Sequence, residues 1–288
     1  MSLAVETRAW VETSSSTLFA FDYSGTLSRG AVTFAEPGNL ARELARSGLA
    51  GLGVADPAEF WERIVNPSWE SANVTTTGYA ALIADLLVKL ARERRAAVRP
   101  RAFAAAAGRF VAAYMAASDI HPAWIPLLRR LCDRPGAGFL VATDHYAEAT
   151  SAILGHLRRA GVPAYPEAGH AQHGCAAVAN SADLGAVKES PKFWRGALGL
   201  LPHRSWTRAV LVDDFGQGER PEDAYADAAK VSARRTASAG AIAAALGADV
   251  SVVRFEPTSG AYEDWDAEIR RVADLLLADL GVCRGEPG

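Results

Sequence analysis

The pattern of apolar and polar residues divides the chain into short apolar runs and longer stretches with helical spacing. Leu18 to Phe21 is a run of four apolar residues without helical spacing, which is typical of a strand buried on both faces of a parallel sheet. Similar runs stand at 138–142, 209–212 and 250–253, with weaker ones at 164–165 and 175–179. Helical stretches separate them. Strands that alternate with helices predict an α/β fold built on a doubly wound parallel sheet.

Between the first strand and the second, the chain is predicted to be helical. Asp56 to Glu59 has the residues of a helix start, with an N-cap aspartate, a proline and a glutamate. Residues 39–47, 77–95 and 101–117 also have helical patterns. We therefore predict a smaller all-helical domain inserted into a Rossmann-like core. The predicted division is a core over 1–28 and 122–288 and an all-helical domain, called the insertion below, over 29–121.

Composition excludes several classes of function. The formal net charge is −3, which provides no basic surface for nucleic acid. The most apolar long stretch, 102–117, contains Arg109 and predicts a buried helix, so no membrane partner is expected. The first residues are charged and lack the apolar centre of a signal peptide. Cys132, Cys175 and Cys283 are widely spaced, which argues against a disulfide framework and favours a cytoplasmic protein. The abundant alanine and arginine suggest a bacterial source.

Polar residues follow three of the predicted strands. Asp22, Thr143 and the pair Asp213-Asp214 stand at strand ends, and ligands of such sheets bind beyond the carboxyl ends of the strands. Three carboxylates at one place repel each other unless they are protonated or share a cation. Oxygen ligands without a set of histidines and cysteines favour Mg²⁺. Thr143 and Lys188 add a hydroxyl and an ammonium that suit phosphate oxygens.

The order of these residues resembles the four sequence motifs of the haloacid dehalogenase-like (HAD) superfamily. The resemblance covers about residues 16–28 and 122–256, and the insertion falls where many members carry a cap domain over the site. The matching residues are D-x-x-G-T-L from Asp22 to Leu27, Thr143 at a strand end, Lys188 with Pro191 and Phe193, and Asp213-Asp214 at another strand end.

The resemblance implies a Mg²⁺-dependent phosphatase, monomeric or homodimeric, that acts on a small phosphorylated metabolite through an aspartyl-phosphate. Asp22 would be the nucleophile, and Thr143 and Lys188 would hold the phosphoryl group. The implied metal ligands are Asp22, Asp213, Asp214 and the backbone carbonyl of Ser24. The implied phosphate-binding residues are Gly25, Thr26, Thr143, Asp144 and Lys188, with Thr26 bracing the turn.

Ser24 departs from the pattern of the superfamily. Its phosphatases generally carry at this position a second aspartate that protonates the leaving group, and such general acid–base catalysis contributes about 10²- to 10⁴-fold. Four interpretations stay open: a phosphatase that is slow or whose leaving group needs no proton, such as that of an acyl phosphate; a phosphonatase-like or phosphotransfer enzyme; a dehalogenase, which Asp213-Asp214 disfavour; and a non-catalytic binding or regulatory protein.

Other candidates have simpler interpretations. A phosphonatase-like Schiff base would need Lys89, which is expected to be a solvated helix residue. Lys192 is a rival of Lys188 but lies within a predicted helix. His170, His173 and Cys175 are predicted to form a polar loop. Two further groups could surround the site. The acidic residues Glu219, Glu222 and Asp223 are expected instead to form a solvated helix start. The aromatic residues Trp61, Trp69 and Tyr79 are expected instead to pack between helices.

Overall fold

The computed structural model describes residues 16–164, 175–202, 205–218 and 228–279. Within these residues it contains one sheet of five parallel strands in the order β3-β2-β1-β4-β5. The strands are β1 (Thr17–Phe21), β2 (Ala137–Thr143), β3 (Ala176–Asn180), β4 (Arg208–Asp213) and β5 (Asp249–Arg254). The predicted α/β fold with a doubly wound parallel sheet is confirmed.

The position of β1 follows from its sequence. Leu18 to Phe21 are fully buried, as expected for a central strand with neighbours on both edges and helices on both faces. Phe21 is in register with Val141 of β2 and Val212 of β4. The backbone N–H of Asp22 donates to the carbonyl of Val212 at 2.9 Å. This register places Asp22 in the middle of the carboxyl edge of the sheet.

One predicted strand is described only at its first residue. Of the stretch 164–165, Ala164 forms an isolated bridge with Ala176, and residue 165 lies outside the described residues. The predicted run 175–179 forms β3 displaced by one residue, and the other predicted runs form strands that extend the predicted bounds by one residue at one or both ends.

Between β1 and β2 the described chain is helical, as predicted, and joins its helices through short turns. The elements are α1 (Arg29–Phe34), α2 (Pro37–Ser47), a 3₁₀ turn (Ala50–Leu52), α3 (Pro57–Phe60), a π-helical turn (Trp61–Val65), α4 (Asn66–Ala72), α5 (Tyr79–Glu93) and α6 (Pro100–Ala117). The Asp56 N-cap is confirmed, because its side chain accepts from the N–H of Ala58. Helix α1 was not predicted. Its start is set by Ser28, whose hydroxyl accepts from the N–H of Ala31 at 3.1 Å.

The remaining helices alternate with the strands. They are a 3₁₀ turn (Pro122–Trp124), α7 (Ile125–Asp133), α8 (Ala149–Arg159), α9 (Ser181–Leu184), α10 (Pro191–Leu198), α11 (Ala228–Leu246) and α12 (Tyr262–Asp279). None of the described helices is both long and apolar enough to cross a membrane.

Two apolar clusters cover the two faces of the sheet. Leu18 and Ala20 belong to one cluster together with α10 and α11, whereas Phe19 and Phe21 point into the other. This second cluster continues from the sheet into the helices of the insertion, where it includes residues such as Phe110. The insertion is therefore packed on the same apolar core as one face of the sheet. The division into two domains stays a prediction.

Candidate active site

Three carboxylates meet at the carboxyl edge of the sheet. Asp22 follows β1, Asp213 ends β4 and Asp214 follows it, and one oxygen from each lies within 4.8 Å of the others. All three residues are buried. The convergence expected from the strand ends is thus present in the structure.

Lys188 lies among these carboxylates. Its Nζ donates to Oδ1 of Asp22 at 2.6 Å and to Oδ2 of Asp213 at 2.7 Å, and the residue is only 2% exposed. Burial raises the pKa of Asp22 well above its usual range, the charge of Lys188 opposes that rise, and the neighbouring carboxylates add to it. Lys188 therefore favours the ionised form of Asp22, which is the form that can act as a nucleophile.

The carboxylate of Asp214 is fixed by the backbone around it. Its Oδ1 accepts from the N–H of Gly216 at 3.1 Å and its Oδ2 from the N–H of Gly218 at 2.8 Å. Its own N–H donates to Oγ1 of Thr26 at 3.1 Å, which links the turn after β1 to the end of β4. Gly25 has a φ of +78°, and a Cβ there would lie 2.4 Å from Oδ2 of Asp214. A glycine is therefore required beside this carboxylate.

The donor set fits a divalent cation. Asp22, Asp213 and Asp214 bring three carboxylates to the ammonium of Lys188, so these four groups together carry a net charge of −2 when all are ionised. A hard cation of charge two with oxygen ligands, such as Mg²⁺, matches both the charge and the donor type. Ser24 lies beside them and lines the same cavity.

Thr143 and Asp144 complete the polar end of the site. Thr143 ends β2 and is buried. Oδ1 of Asp144 accepts from the backbone N–H of Lys188 at 3.0 Å, whereas Oδ2 is buried and has no hydrogen-bond partner among the residues that the structure describes. Burial raises the pKa of Asp144 to about 7. The site residues expected from the sequence are thus all brought to one place, while their roles stay predictions.

A cavity of about 90 Å³ begins at this polar end and extends beneath the insertion. Its wall on the side of the insertion consists mainly of aromatic residues. They include Phe34, Phe60, Trp61, Trp69, Tyr79 and Phe110. The three aromatic residues considered in the sequence, Trp61, Trp69 and Tyr79, therefore line the cavity as well as packing between helices.

Sequence reasoning missed a polar pair in the cavity wall. Nδ1 of His145 accepts from the N–H of Tyr146 at 2.8 Å, so the neutral ring carries its proton on Nε2, which lies 3.2 Å from the hydroxyl of Tyr114. Burial lowers the pKa of His145 to about 4, which keeps the ring neutral at pH 7. The signal available in the sequence was the position of His145, two residues after the end of a strand.

Sequence reasoning also missed the contact that begins α5. The carboxylate of Glu148 accepts from the N–H of Tyr79 at 2.8 Å and from that of Ala80 at 3.1 Å. The N-cap residue is Gly78, where a Cβ would lie 2.5 Å from Oε1 of Glu148. Glu148 thus supplies, from just before α8, the cap that Gly78 cannot supply itself.

Several candidates lie away from the site. Lys89 is exposed on α5, as expected, and Nζ of Lys192 donates to the carbonyl of Gly185 at 3.0 Å. Nζ of Lys188 thus lies at the carboxylates and that of Lys192 does not, while the role of Lys188 stays a prediction. Cys175 is half-buried. His170, His173, Glu219, Glu222 and Asp223 lie outside the described residues.

Comparison with known proteins finds similarity among solved structures. No protein-family model matches the chain, and no curated protein matches it. Among solved structures, the chain is similar to a 2-haloacid dehalogenase from Pseudomonas syringae pv. Tomato DC3000, with a TM-score of 0.48 and 19% sequence identity. The match covers 85% of this chain and 88% of that chain. At this level of similarity nothing about the reaction follows from the likeness.

Proposed function

We propose that the protein is a HAD-like hydrolase of the phosphatase type, which transfers the phosphoryl group of a small phosphorylated metabolite to Asp22 and then to water. The observation that carries this proposal is the arrangement of Lys188 between Asp22 and Asp213, with Asp214 beside them, at the polar end of a cavity. The sequence predictions of a bacterial, cytoplasmic, monomeric or homodimeric protein without nucleic-acid or membrane partners accompany this proposal.

The reaction begins at Asp22. One oxygen of its carboxylate attacks phosphorus, the bond from phosphorus to the leaving oxygen breaks, and the electron pair departs with the leaving group. Lys188 neutralises part of the charge that this attack brings together, and the hydroxyl of Thr143 suits a phosphoryl oxygen. Water then attacks phosphorus, which releases phosphate and regenerates the carboxylate of Asp22.

Asp22, Asp213 and Asp214 would hold Mg²⁺, together with the backbone carbonyl of Ser24. When bound, the cation offsets the repulsion between these carboxylates and a phosphate dianion and stabilises the charge of the transition state. Thr26 and Gly25 keep Asp214 in place for this role, through a hydrogen bond and through the space that a glycine leaves.

Ser24 determines which substrates are expected to be hydrolysed slowly and which alternative functions stay open. A serine cannot supply the carboxyl proton that a poor leaving group needs, so hydrolysis of alkyl phosphates is expected to be slow. The alternative class is a phosphonatase-like or phosphotransfer enzyme, or a binding or regulatory protein that keeps the site but has lost hydrolysis. A phosphonatase-like Schiff base would require Lys89. This lysine is exposed and is not among the residues that line the cavity, which argues against a phosphonatase.

The test uses acetyl phosphate, whose leaving group needs no proton. Phosphate release is measured with Mg²⁺ and with EDTA for wild type, Asp22→Asn and the control Asp85→Asn, which changes an exposed aspartate of α5. We expect metal-dependent release that Asp22→Asn abolishes and Asp85→Asn retains.

Three other outcomes would contradict the proposal. Metal-independent chloride release from 2-chloropropionate, with no turnover of acetyl phosphate, would indicate a dehalogenase. Turnover that survives Asp22→Asn would exclude the aspartyl mechanism. Turnover that appears only in Ser24→Asp would indicate a binding protein whose hydrolytic step is lost.

A further inference from the structure

The cavity wall contributed by the insertion carries no charged side chain among its described lining residues. Its rings are packed against one another, with centroid distances of 5.5 Å between Phe34 and Phe110, 4.9 Å between Phe60 and Phe110, and 5.2 Å between Phe34 and Tyr114. Such contacts hold aromatic side chains in defined positions. The wall is therefore a fixed aromatic surface that faces the reacting end of the cavity.

A local irregularity brings further aromatic surface to the cavity. The N–H of Asn66 donates to the carbonyl of Trp61, an i to i−5 bond, and Pro67 has no N–H with which to continue an α-helical ladder. The resulting π-helical turn begins at Trp61, ends at Val65 and is followed by Trp69, and these three residues all line the cavity.

The polar pair in the wall adds no charge. Tyr114 and His145 are hydrogen-bonded to each other, and the buried ring of His145 is neutral at pH 7. The ammonium of Lys188 at the other end is already shared by Asp22 and Asp213. A second anionic group on a substrate would thus enter the wall without a cation among the described lining residues to pair with, and burying an unpaired charge is strongly unfavourable.

The direction of attack places the leaving group against this wall. In an in-line displacement the leaving oxygen lies opposite the attacking oxygen of Asp22 and therefore points away from the sheet edge. The carboxyl groups that line the cavity all follow or end strands, as Asp144 and Asp214 do, and none comes from the insertion. A leaving oxygen that is stable as an anion departs from such a site without needing a proton from a carboxylic acid.

Building on the function proposed above, we infer that the substrate is a phosphate monoester of a phenol whose ring carries no charged group. The carboxylate of Asp22 forms a bond to phosphorus, the bond from phosphorus to the phenolic oxygen breaks, and its electron pair leaves as the phenolate. Water then adds to phosphorus, the carboxylate of Asp22 departs, and the product is dihydrogen phosphate. The ring of the leaving group packs against Phe34, Trp61 and their neighbours.

Three monoesters test this inference by steady-state kinetics: phenyl phosphate, 4-carboxyphenyl phosphate and cyclohexyl phosphate. We expect kcat/KM for phenyl phosphate to exceed that for the carboxyphenyl ester by about tenfold or more, mainly through KM, because the carboxylate lacks a partner. Cyclohexyl phosphate fills the same space but leaves as an alkoxide, so its kcat is expected to be lower by about 10²-fold or more.

Charge substitutions in the wall sharpen the test. Trp61→Arg and, separately, Trp69→Lys place a cation in the wall, and each is expected to lower the preference for phenyl over carboxyphenyl phosphate by about tenfold. Val98→Arg is the matched control, because Val98 is an exposed residue of the insertion outside the cavity, and it is expected to leave the preference unchanged.

The outcomes separate this inference from the proposed function. Equal or faster turnover of the carboxyphenyl ester by wild type would overturn the inference, and this comparison does not require that any variant fold. If acetyl phosphate is turned over through Asp22 while phenyl phosphate is not preferred, the inference fails and the function stands. If acetyl phosphate is not turned over through Asp22, the proposed function is wrong, and the inference that rests on it is wrong as well.

Discussion

Nζ of Lys188 lies 2.6 Å from Oδ1 of Asp22, and both groups are buried. Lys188 lies just before α10 and Asp22 just after β1, so the contact joins two parts of the chain that are far apart in sequence. Because the same ammonium also reaches Asp213, one positive charge stabilises two of the three carboxylates at the sheet edge.

Replacing Lys188 with methionine is expected to destabilise the protein as well as to abolish turnover. The substitution leaves buried carboxylates without their partner, which costs about 3–5 kcal/mol of unfolding free energy at pH 8. The loss is expected to be smaller at pH 5, where Asp22, whose pKa is raised, is more readily protonated.

Urea unfolding at the two pH values measures this effect. The control is Lys192→Met, which removes an exposed ammonium that donates to a backbone carbonyl. Equal losses for the two lysine variants would contradict a role for Lys188 in compensating the buried carboxylates.

Gly25→Ala is expected to destabilise the protein by more than about 1 kcal/mol and to abolish metal-dependent turnover. Its φ is in the left-handed region, and the new methyl group would displace the carboxylate of Asp214. Gly108→Ala is the matched control, because Gly108 lies within α6 with open space around it. That change is expected to stabilise the protein by about 1 kcal/mol. Thermal unfolding and isothermal titration with Mg²⁺ measure the two effects, and unchanged Mg²⁺ binding by Gly25→Ala would contradict the role of the glycine.

Asp144 is expected to make the protein less stable as the pH rises. Its pKa is about 7 in the folded protein and near 3.8 when exposed, so between these values the folded state binds more protons than the unfolded state. Its contribution to stability is therefore full below pH 4 and is lost as the pH rises through 7.

Asp144→Asn keeps an oxygen that can accept from the N–H of Lys188 but removes the titration. We expect the variant to gain stability relative to wild type at pH 8 by up to a few kcal/mol, since each pKa unit corresponds to about 1.4 kcal/mol, and to gain little at pH 4. Denaturant unfolding across this range tests the prediction. A constant difference between the two proteins would contradict it.

Glu148→Ala is expected to lower the unfolding free energy by about 1–2 kcal/mol, because it removes the only described side-chain cap of α5. Glu148→Gln retains an oxygen acceptor and is expected to lose less. Glu263→Ala changes an exposed acidic residue in the first turn of α12 and is expected to cost only a few tenths of a kcal/mol. Hydrogen exchange of the first turn of α5 reports the effect locally, and unchanged protection there in Glu148→Ala would contradict the role of the cap.

The sheet and the polar end of the site were predictable because their signals are local. The apolar run before Asp22 marks a buried strand, and parallel strands bring their carboxyl ends to one edge, so Thr143 and Asp213 could be placed near Asp22 without coordinates. Lys188 could be preferred to Lys192 because Pro191 begins a helix that contains Lys192. Each of these inferences needs only a few neighbouring residues.

The cavity wall was not predictable because its contacts join distant parts of the chain. Tyr114 meets His145 across the space between the insertion and the sheet, and Glu148 caps a helix that begins 69 residues earlier. Neither contact leaves a periodic pattern in the sequence. Helix α1 was missed for a different reason: it has six residues and includes Gly30, so its propensity is weak and tertiary packing decides it.

The aspartyl-phosphate mechanism is tested most directly by trapping the phosphoryl group on Asp22. Wild type is mixed with acetyl phosphate and Mg²⁺, quenched in acid and reduced with borohydride, which converts an aspartyl-phosphate to homoserine, and the peptides are then analysed by mass spectrometry. The absence of a second aspartate at Ser24 is expected to slow the attack of water, so that the intermediate accumulates. The proposed mechanism predicts homoserine at position 22 that is lost when EDTA is present. Release of phosphate with unmodified Asp22, or with homoserine at another aspartate, would contradict it.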